Sequence, residues 1–533
     1  MNCYLRSVSA LRPSGRNVGA FRQTAAQLAS STSSSQPARR WRTTLICASS
    51  STVPLSIARP SNTTTSPAGH RNLASPVQLG ARRHLHCSPS RRLAAESAVV
   101  VPNHSTMGSV PESVPAVRVF IAGGSYAGLS AAVNLLDLGN GLSPRMSSEP
   151  YAHHPSVPKV NFEITIADER DGYYHLIGSP LAFADADYAK KAWVRFQDIP
   201  GLQLPNVKFV QGSVSSVDCA AKTATVIDGT TKEAATYPYD YFVTATGLRR
   251  VWPVVPQALT QKQYLVEAET QIKALENAKD GVVVVGGGAV GIEMAAELKH
   301  VKPHLKVTLV HSRDRLMSSE PLPDDCRDKA LEMVKETGVE VLLDHRLASS
   351  TKVDTSDGSP KYEVEFTNGH KMTASAVIMA LSNSTSTASY LPSSATDSEG
   401  YVKIVSNMSF EPDSVPNASS HFCAGDVARW SGIKRCGAAM HGGHYIAHNI
   451  HQSVLRERDA RHEPRFQHLR EIPPMIGLAV GKNAVAYSPE GGLSSGPEVM
   501  QAYFRDDLGW AICWEYMQLD GRKPEVKLQE AAA

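Results

Sequence analysis

The chain has 533 residues, and its 42% hydrophobic and 20% charged residues are typical of a globular protein. Its formal net charge of +3 hides an asymmetry. Residues 1–95 contain thirteen arginines and no acidic residue, which leaves 41 of the 54 basic side chains against all 51 acidic ones, a net charge of −10 for the remainder. An acidic globular part argues against a nucleic-acid partner, because phosphates attract basic surfaces. With no run of about 18 apolar residues, no transmembrane helix is predicted.

The first 106 residues are rich in arginine, serine and threonine. This composition is typical of a mitochondrial presequence, so we expect a mitochondrial protein. A disordered tail is the alternative, because such a segment cannot bury a core. Met107 is a second candidate start, from which the protein would be cytoplasmic. Whether residues 1–106 remain in the mature protein stays open.

The eight cysteines are scattered, without a CxxC or CxxxxC pair. This pattern argues against a redox-active disulfide relay and against a thiolate zinc site, so no metal is predicted. It fits a reducing compartment.

A first glycine-rich motif follows a short apolar run. The predicted strand Val119–Ala122 leads into Gly123-Gly124-Ser125-Tyr126-Ala127-Gly128, and the small apolar residues 129–136 suit a helix. Strand, glycine turn and helix in this order bind a pyrophosphate at the helix N-terminus. Ser125 stands where the middle glycine is usual, which weakens the motif without removing it.

An acid that binds ribose is expected at the tip of the next strand. Residues 162–167 alternate like a strand and end at Asp168. The distance from the glycine motif is about twice the usual ~20 residues because residues 142–159 form an insertion. We assign Asp168 to the adenosine ribose; a surface acid at a strand end is the alternative.

A second motif, Gly286-Gly287-Gly288-Ala289-Val290-Gly291, matches G-x-G-x-x-G fully, between a predicted strand at 281–285 and a helix at 292–298. The next strand, 306–310, ends in His311-Ser312-Arg313, without an acid. A carboxylate there would repel a 2′-phosphate, so its absence permits NADPH, with Arg313 or Arg315 on the phosphate. NADH or NADPH is the predicted second nucleotide. The candidate residues are Gly286, Gly288, Ala289, Val290, Gly291, Glu293, His311 and Arg313.

Four features occur in a familiar order: the first motif, Thr244-Ala245-Thr246-Gly247 after a strand, the second motif with Glu293, and Phe422–Val427. With them the chain, from about 117 to 450, resembles flavoproteins with two dinucleotide-binding domains. It is most similar to apoptosis-inducing-factor homologues of the ferroptosis-suppressor type, and more distantly to type II NADH dehydrogenases. The resemblance implies an α/β fold with two Rossmann-like domains. The FAD domain would comprise 116–261 and 399–452, the inserted NAD(P)H domain 262–398, and a C-terminal segment 453–533.

The resemblance also implies site residues. In this family the first motif, Gly123 to Gly128, binds FAD, and Asp426 of the pair Gly425-Asp426 meets the ribitol and phosphate region. Met440 and His441 would lie at a helix N-terminus facing the flavin. For Asp426, capping a helix that begins near Ala428 is the alternative. Further residues expected at FAD are Asp168, Leu181, Val214, Thr246 and Gly247, with Tyr174, His175 and Pro180 near the isoalloxazine.

The chain departs from the family pattern in two places. The usual Thr-Gly pair after the last strand of the second domain is replaced by Leu381-Ser382-Asn383, and no acidic ribose ligand follows the second glycine motif. Lys190-Lys191 matches a family pair, and one of these lysines would contact Glu293 across the domain junction; a solvated basic patch is the alternative. Histidines 441, 444, 448 and 451 share one helix face, where one face alone cannot surround a metal ion.

The predicted function is an FAD-dependent NAD(P)H oxidoreductase that passes a hydride to FAD and electrons to a quinone-like acceptor. The alternatives are a flavin-bound redox sensor or cell-death effector, and an accessory oxidoreductase of a biosynthetic pathway. We expect the C-terminal aromatic residues Trp510, Trp514 and Tyr516 to pack in a core, with a quinone-facing or peripheral membrane surface as the alternative. The oligomeric state stays open.

Overall fold

The computed structural model describes residues 115–146, 151, 153–356, 359–381 and 384–523. These residues belong to one compact unit. The leader 1–106, Met107 and the pair Ser382-Asn383 lie outside the described residues.

The first sheet contains seven strands in the order β19-β8-β1-β2-β5-β6-β7. Strands β19, β8, β1, β2 and β5 run parallel, and β6 and β7 continue the sheet antiparallel. The predicted strands at 119–122 and 162–167 are its two central members. The strands are β1 (Val117–Ala122), β2 (Phe162–Asp168), β5 (Val207–Asp218), β6 (Thr223–Asp228), β7 (Ala234–Pro238), β8 (Tyr241–Thr244) and β19 (His421–Cys423).

Two helices cover one face of this sheet. They are α1 (Tyr126–Gly139) and α7 (Cys436–Arg458). Every residue of α1 is buried, because the helix lies between the sheet and α7. The two helices approach closely at Gly443, where a Cβ atom would lie 2.2 Å from the Ala127 carbonyl oxygen. Beside them lie the antiparallel pair β3 (Gly172–Tyr174) and β4 (Trp193–Arg195) and the helices α2 (Ser179–Ala182) and α3 (Ala186–Ala192).

The second sheet is parallel, in the order β12-β11-β10-β16. An antiparallel sheet of β13, β14 and β15 packs against it. This βαβ pattern confirms the predicted α/β class. The elements are α4 (Gln261–Glu276), β10 (Val282–Val285), α5 (Ala289–Val301), β11 (Val307–Val310), α6 (Asp324–Glu336), β12 (Glu340–Leu342), β13 (Leu347–Val353), β14 (Lys361–Phe366), β15 (Lys371–Ala374) and β16 (Ala376–Met379).

We call the part of the chain built on the first sheet the first region and the part built on the second sheet the second region. A two-stranded ribbon joins them: β9 (Leu248–Arg250) pairs antiparallel with β17 (Ser384–Ser386). Residues 388–395 then pack into the core beneath the first sheet. This core therefore includes residues that precede position 399, where the sequence analysis places the start of the second part of the FAD domain. Beyond them, β18 (Val402–Lys403) pairs with β20 (Ala428–Arg429).

The C-terminal segment packs on both regions. Its strands are β21 (Ile476–Val480), β22 (Asn483–Ser488) and β23 (Gly492–Gly496), and its helices are α8 (Pro497–Tyr503) and α9 (Trp510–Met517). Trp514 is buried against Tyr173, and Trp510 stacks on Trp514 with ring centroids 4.9 Å apart. These tryptophans therefore pack in a core, as expected. Among the described residues, no helix is long and apolar enough to cross a membrane.

Candidate nucleotide-binding sites

The first loop, Gly123–Gly128, joins the carboxyl end of β1 to α1. Gly123 has a φ of +105°, and a Cβ atom there would lie 2.3 Å from the Ala245 carbonyl oxygen. A Cβ atom at Gly128 would lie 1.9 Å from the Gly123 carbonyl oxygen. Both positions therefore require glycine, and together they press the N-terminus of α1 against the end of the strand.

Ser125 precedes α1 in an extended conformation and makes no side-chain capping hydrogen bond. It is also the most exposed residue of the loop. The extended conformation suits any L-residue, which explains why serine can replace the middle glycine.

Asp168 ends β2 next to this loop. Its carboxylate accepts hydrogen bonds from the backbone N–H groups of Gly124 at 2.7 Å and Arg170 at 2.8 Å. Desolvation raises the pKa of the carboxyl group, against the opposing effect of Arg170 and these two N–H groups. The structure thus places Asp168 at the loop, as predicted from the sequence.

The second loop, Gly286–Gly291, repeats this construction between β10 and α5. Gly286 has a φ of +122°, and a Cβ atom there would lie 2.3 Å from the Ala380 carbonyl oxygen. At Gly291 a Cβ atom would lie 1.7 Å from the Gly286 carbonyl oxygen. Gly288, by contrast, has no atom within 4 Å of a Cβ position. Gly288 faces open space at the N-terminus of α5, which leaves room for a phosphate to approach the backbone.

His311 takes the place in the second loop that Asp168 has in the first. Its Nδ1 accepts a hydrogen bond from the Gly287 N–H at 3.0 Å, and its Nε2 lies 2.9 Å from the Ser318 hydroxyl. Arg313 also donates to that hydroxyl, at 3.2 Å. Desolvation, and secondly Arg313, lowers the pKa of His311, so the ring is neutral at pH 7. Arg315 points elsewhere: it pairs with Asp324 and Asp328 at the start of α6.

Asp426 forms an ion pair of 2.9 Å with Arg250 of β9. The alternative that it caps a helix near Ala428 is wrong, because Ala428 belongs to the short strand β20. Sequence reasoning missed Arg250, since nothing in the sequence shows that a linker strand reaches the Gly-Asp turn. Nearby, Gly247 has a φ of +71° and open space at its Cβ position.

Other predicted FAD residues lie around these turns. The Thr246 hydroxyl bonds with Thr387 and Tyr390, on the chain that returns from the second region. Val214 lies at a bulge of β5 opposite Val226. Leu181 lies on α2, which packs against α5 of the second region.

His175 lies in a fully buried polar cluster. Its Nδ1 is 3.0 Å from the Tyr173 hydroxyl and 3.2 Å from that of Tyr126, and its Nε2 donates to the Leu508 carbonyl oxygen at 3.0 Å. Desolvation lowers the pKa of His175 to about 4. Both ring nitrogens are therefore occupied within the protein, and the imidazole is neutral.

The prediction that Met440 and His441 lie at a helix N-terminus is wrong. Helix α7 begins at Cys436, more than a turn earlier, because residues 436–439 are also compatible with a helix. The Met440 carbonyl oxygen accepts from the Ser130 hydroxyl at 2.6 Å, and His441 packs on Tyr445. The residue at the helix start is thus a cysteine.

Glu293 and Glu297 are one turn apart on α5. Glu293 accepts a hydrogen bond from the Ala479 N–H at 3.3 Å, and Glu297 is 2% exposed. Desolvation raises the pKa of each carboxyl group to about 8, so both are largely protonated at pH 7. Sequence reasoning missed Glu297, although its spacing from Glu293 places both on one helix face.

The two lysines proposed to contact Glu293 do not do so. Lys190 pairs with Asp187 at 2.8 Å, and Lys191 pairs with Asp507 at 2.6 Å. Asp507 lies in the C-terminal segment, whose position the sequence did not reveal.

These residues fit two dinucleotides. Each loop offers the free N–H groups of a long helix, and the open Cβ positions of Gly247 and Gly288 leave space beside them. Asp168 suits a ribose diol, and the neutral His311 with Arg313 tolerates a further phosphate.

Comparison with known proteins agrees with this geometry. The model of the pyridine nucleotide-disulphide oxidoreductase family matches residues 117–443. The oxidoreductase OXR1 of Ajellomyces capsulatus is 47% identical over 461 residues, which cover 86% of this chain and 99% of that protein. Ferroptosis suppressor protein 1 of Mus musculus is 28% identical over 51% of this chain and 65% of its own length.

Two solved structures share the fold. The sulfide:quinone oxidoreductase of Aquifex aeolicus has a TM-score of 0.54 and 17% identity, over 77% of this chain and 93% of its own. The NAD-dependent persulfide reductase of A. fulgidus has a TM-score of 0.52 and 18% identity, over 69% of this chain and 63% of its own.

The match to the family model and the 47% identity to OXR1 show that the chain belongs to the pyridine nucleotide-disulphide oxidoreductase family, which binds FAD and NAD(P)H. It is an FAD-dependent NAD(P)H oxidoreductase.

Proposed function

We propose that the protein transfers a hydride from NAD(P)H to FAD and then passes the electrons to a quinone-like acceptor. The observation that carries this proposal is the convergence of both loop regions on one junction. There α2 packs on α5, and β21 donates a backbone N–H to Glu293. When bound, the nicotinamide supplies the hydride and the flavin relays its electrons. The relation to ferroptosis suppressor protein 1 supports a quinone-type acceptor.

Glu293 would hold a proton at this junction. A quinone takes up two protons as it accepts two electrons, so a carboxylic acid that is still protonated at pH 7 is a suitable donor. The raised pKa of about 8 supports this role. Among the residues at the junction, Glu293 is thus our candidate for proton delivery.

We also propose that the second loop favours NADPH over NADH. A neutral imidazole, that of His311, replaces the carboxylate that would repel a 2′-phosphate. Arg313 lies beside it, because both side chains form hydrogen bonds with the Ser318 hydroxyl group. Arg315 forms ion pairs with Asp324 and Asp328, so it would contribute less to binding the 2′-phosphate.

Steady-state oxidation of NADPH and NADH with ubiquinone-1 and menadione tests the acceptor. We expect turnover with a quinone well above the rate with dioxygen alone, and a higher kcat/KM for NADPH. Turnover no faster than the dioxygen rate with every quinone would contradict a quinone reductase and favour a redox sensor. A Glu293→Gln variant should lower the quinone rate more than flavin reduction by NADPH.

We propose in addition that residues 1–106 direct the protein to mitochondria. Their many arginines and lack of acids up to position 95 support this. A fusion of residues 1–106 to a fluorescent protein should enter mitochondria. A diffuse cytoplasmic signal would contradict the proposal.

A further inference from the structure

One buried imidazole, that of His175, joins two distant parts of the chain. His175 directly follows β3 and is 0% exposed. Its Nε2 lies 3.0 Å from the carbonyl oxygen of Leu508 in the C-terminal segment, and its Nδ1 lies 3.2 Å from the hydroxyl of Tyr126. Tyr126 belongs to the first glycine loop and is the first residue of α1. The same ring therefore contacts the loop and the C-terminal segment.

The bond to Leu508 determines which nitrogen of the ring carries the proton. A carbonyl oxygen only accepts hydrogen bonds, so Nε2 carries the proton and donates it. Burial lowers the pKa of His175 to about 4, so the ring is neutral at pH 7 and its Nδ1 is an acceptor. The hydroxyl groups of Tyr126 and Tyr173, at 3.2 and 3.0 Å, are the donors that face Nδ1. Docking of the C-terminal segment thus fixes the tautomer that binds the loop tyrosine.

The Tyr126 side chain is held at its hydroxyl and at its ring. The hydroxyl also accepts a hydrogen bond from the backbone N–H of Ile177, at 3.4 Å. The ring packs edge-on against Tyr173 with centroids 5.6 Å apart, and the residue is 6% exposed. Tyr126 begins α1, and the first N–H groups of a helix have no partner within the helix and can bind a pyrophosphate. A fixed Tyr126 side chain therefore orients the N–H groups that the first loop offers to FAD.

The turn at residues 505–509 of the C-terminal segment depends on bonds from the first region. Leu508 has a φ of +48°, a left-handed conformation that a leucine rarely adopts. His175 donates to the Leu508 carbonyl oxygen, and the Tyr188 hydroxyl donates to the Asp507 carbonyl oxygen at 2.7 Å. Such a conformation persists only where its surroundings impose it. Loss of the His175 bond should therefore loosen this turn.

A second buried histidine provides a matched control. His421 is also 0% exposed, its Nε2 lies 2.8 Å from the Tyr239 hydroxyl, and its Nδ1 lies 2.8 Å from the Asn417 carbonyl oxygen. Burial lowers the pKa of His421 to about 4 as well. His421 begins β19, whereas the first loop follows the carboxyl ends of the parallel strands. Replacement of His421 thus removes the same kinds of hydrogen bond at the opposite end of the sheet.

We propose that His175 is a positioning residue for FAD: its imidazole holds the Tyr126 side chain and the Leu508 turn together, so that docking of the C-terminal segment sets how tightly the first loop binds FAD. His175 acts through Tyr126 and needs no contact with the cofactor. Because coupling between two sites is reciprocal, bound FAD in turn stabilises the turn at 505–509. The identity of the electron acceptor does not enter this coupling.

Dilution of the full-length holoprotein, followed by the fluorescence of released flavin, measures the dissociation constant for FAD. His175→Ala should raise it about tenfold, whereas His421→Ala should leave it unchanged. Tyr126→Phe, which removes only a hydroxyl, should raise it about as much as His175→Ala, and Tyr239→Phe should not. The double variant of His175→Ala and Tyr126→Phe should lose no more affinity than either change alone, because both break the same link.

Hydrogen–deuterium exchange measures the reciprocal effect on the C-terminal segment. In the wild type and in His421→Ala, FAD should slow the exchange of the backbone amides of residues 504–513. In His175→Ala, FAD should leave this exchange unchanged. A purely structural histidine would lower stability without removing this response to FAD.

Equal affinity for FAD in His175→Ala and His421→Ala would overturn the proposal, as would exchange at residues 504–513 of the wild type that is the same with and without FAD. If His175→Ala does not fold, Tyr126→Phe and Tyr239→Phe decide: a selective loss of FAD in the first supports the proposal, and equal affinity contradicts it. A failure of quinone reduction would leave all of these readouts unaffected.

Discussion

The two glycine loops share one backbone conformation. They differ in the side chain that accepts a hydrogen bond from the backbone N–H of the second glycine. In the first loop the Gly124 N–H donates to a carboxylate of Asp168, at 2.7 Å. In the second loop the Gly287 N–H donates to the imidazole Nδ1 of His311, at 3.0 Å. The same position thus carries an acid in one loop and a neutral base in the other. This difference separates a site suited to a ribose diol from one that admits a 2′-phosphate.

The helices that follow the loops differ as well. On α1 the second and sixth residues after Gly128 are Ser130 and Asn134, both buried and bonded to backbone carbonyl oxygens. On α5 the corresponding positions hold Glu293 and Glu297. At these two positions the first helix has an alcohol and an amide, whereas the second has two carboxylic acids that are largely protonated at pH 7. This difference is consistent with the proton delivery that we propose for Glu293.

The largest expected effect comes from the closest contact in the second loop. Gly291→Ala would place a Cβ atom on the Gly286 carbonyl oxygen and should lower the free energy of unfolding by about 3 kcal/mol. Gly288→Ala meets no atom of the protein, so its stability should be unchanged while NADPH affinity falls. Urea unfolding and nucleotide titration measure both. Equal stability of the two variants would contradict the geometry of this loop.

Asp168→Ala should affect only the first site. The loss of a charged acceptor that is bonded to the loop is expected to weaken FAD binding about 100-fold, or about 3 kcal/mol. Flavin content after gel filtration and the affinity of the apoprotein for FAD measure this. The matched change Ser213→Ala, which removes a hydroxyl bonded to the neighbouring Glu169, should retain FAD. Full flavin occupancy in Asp168→Ala would argue against its assignment to the ribose.

His311→Asp should make the second loop resemble the first. The new carboxylate would repel a 2′-phosphate, so kcat/KM for NADPH should fall about 100-fold relative to NADH. Arg313→Ala should give a smaller loss in the same direction, and Arg315→Ala still less. An unchanged ratio of the two coenzymes in His311→Asp would show that the tip of β11 does not set the preference.

Glu297→Gln should have little effect on stability at acidic pH, because glutamine resembles the protonated acid, and should instead change how stability depends on pH. The folded protein keeps the Glu297 proton up to a pKa of about 8, while the unfolded chain releases it near the usual 4.5. The free energy of unfolding should therefore fall as pH rises from about 4.5 to 8, by about 1 kcal/mol per pH unit for this group. The variant should show a shallower decline in urea unfolding across this window, since Glu293 still contributes. The same slope in both proteins would mean that Glu297 is ionised in the fold.

The sequence predicted the elements that local pattern determines. Apolar runs such as Val282–Val285 became central strands, and the glycine spacing located both loops because only glycine fits at Gly128 and Gly291. The start of α7 was missed because residues 436–439 carry no capping signal: Arg435, the residue before the helix, makes no capping bond.

Contacts between distant segments could not be predicted. The pairing of Asp426 with Arg250 and that of Lys191 with Asp507 depend on how the linker and the C-terminal segment fold back. No periodicity or spacing in a single sequence encodes such long-range neighbours. They become visible only once the chain is folded.

The absorbance spectrum of the purified protein under anaerobic titration tests the central claim most directly. If the two loops hold FAD and NADPH at one junction, the flavin absorbance should bleach on addition of about one equivalent of NADPH, and less readily with NADH. A folded protein that carries flavin but is bleached by neither nucleotide would contradict the account.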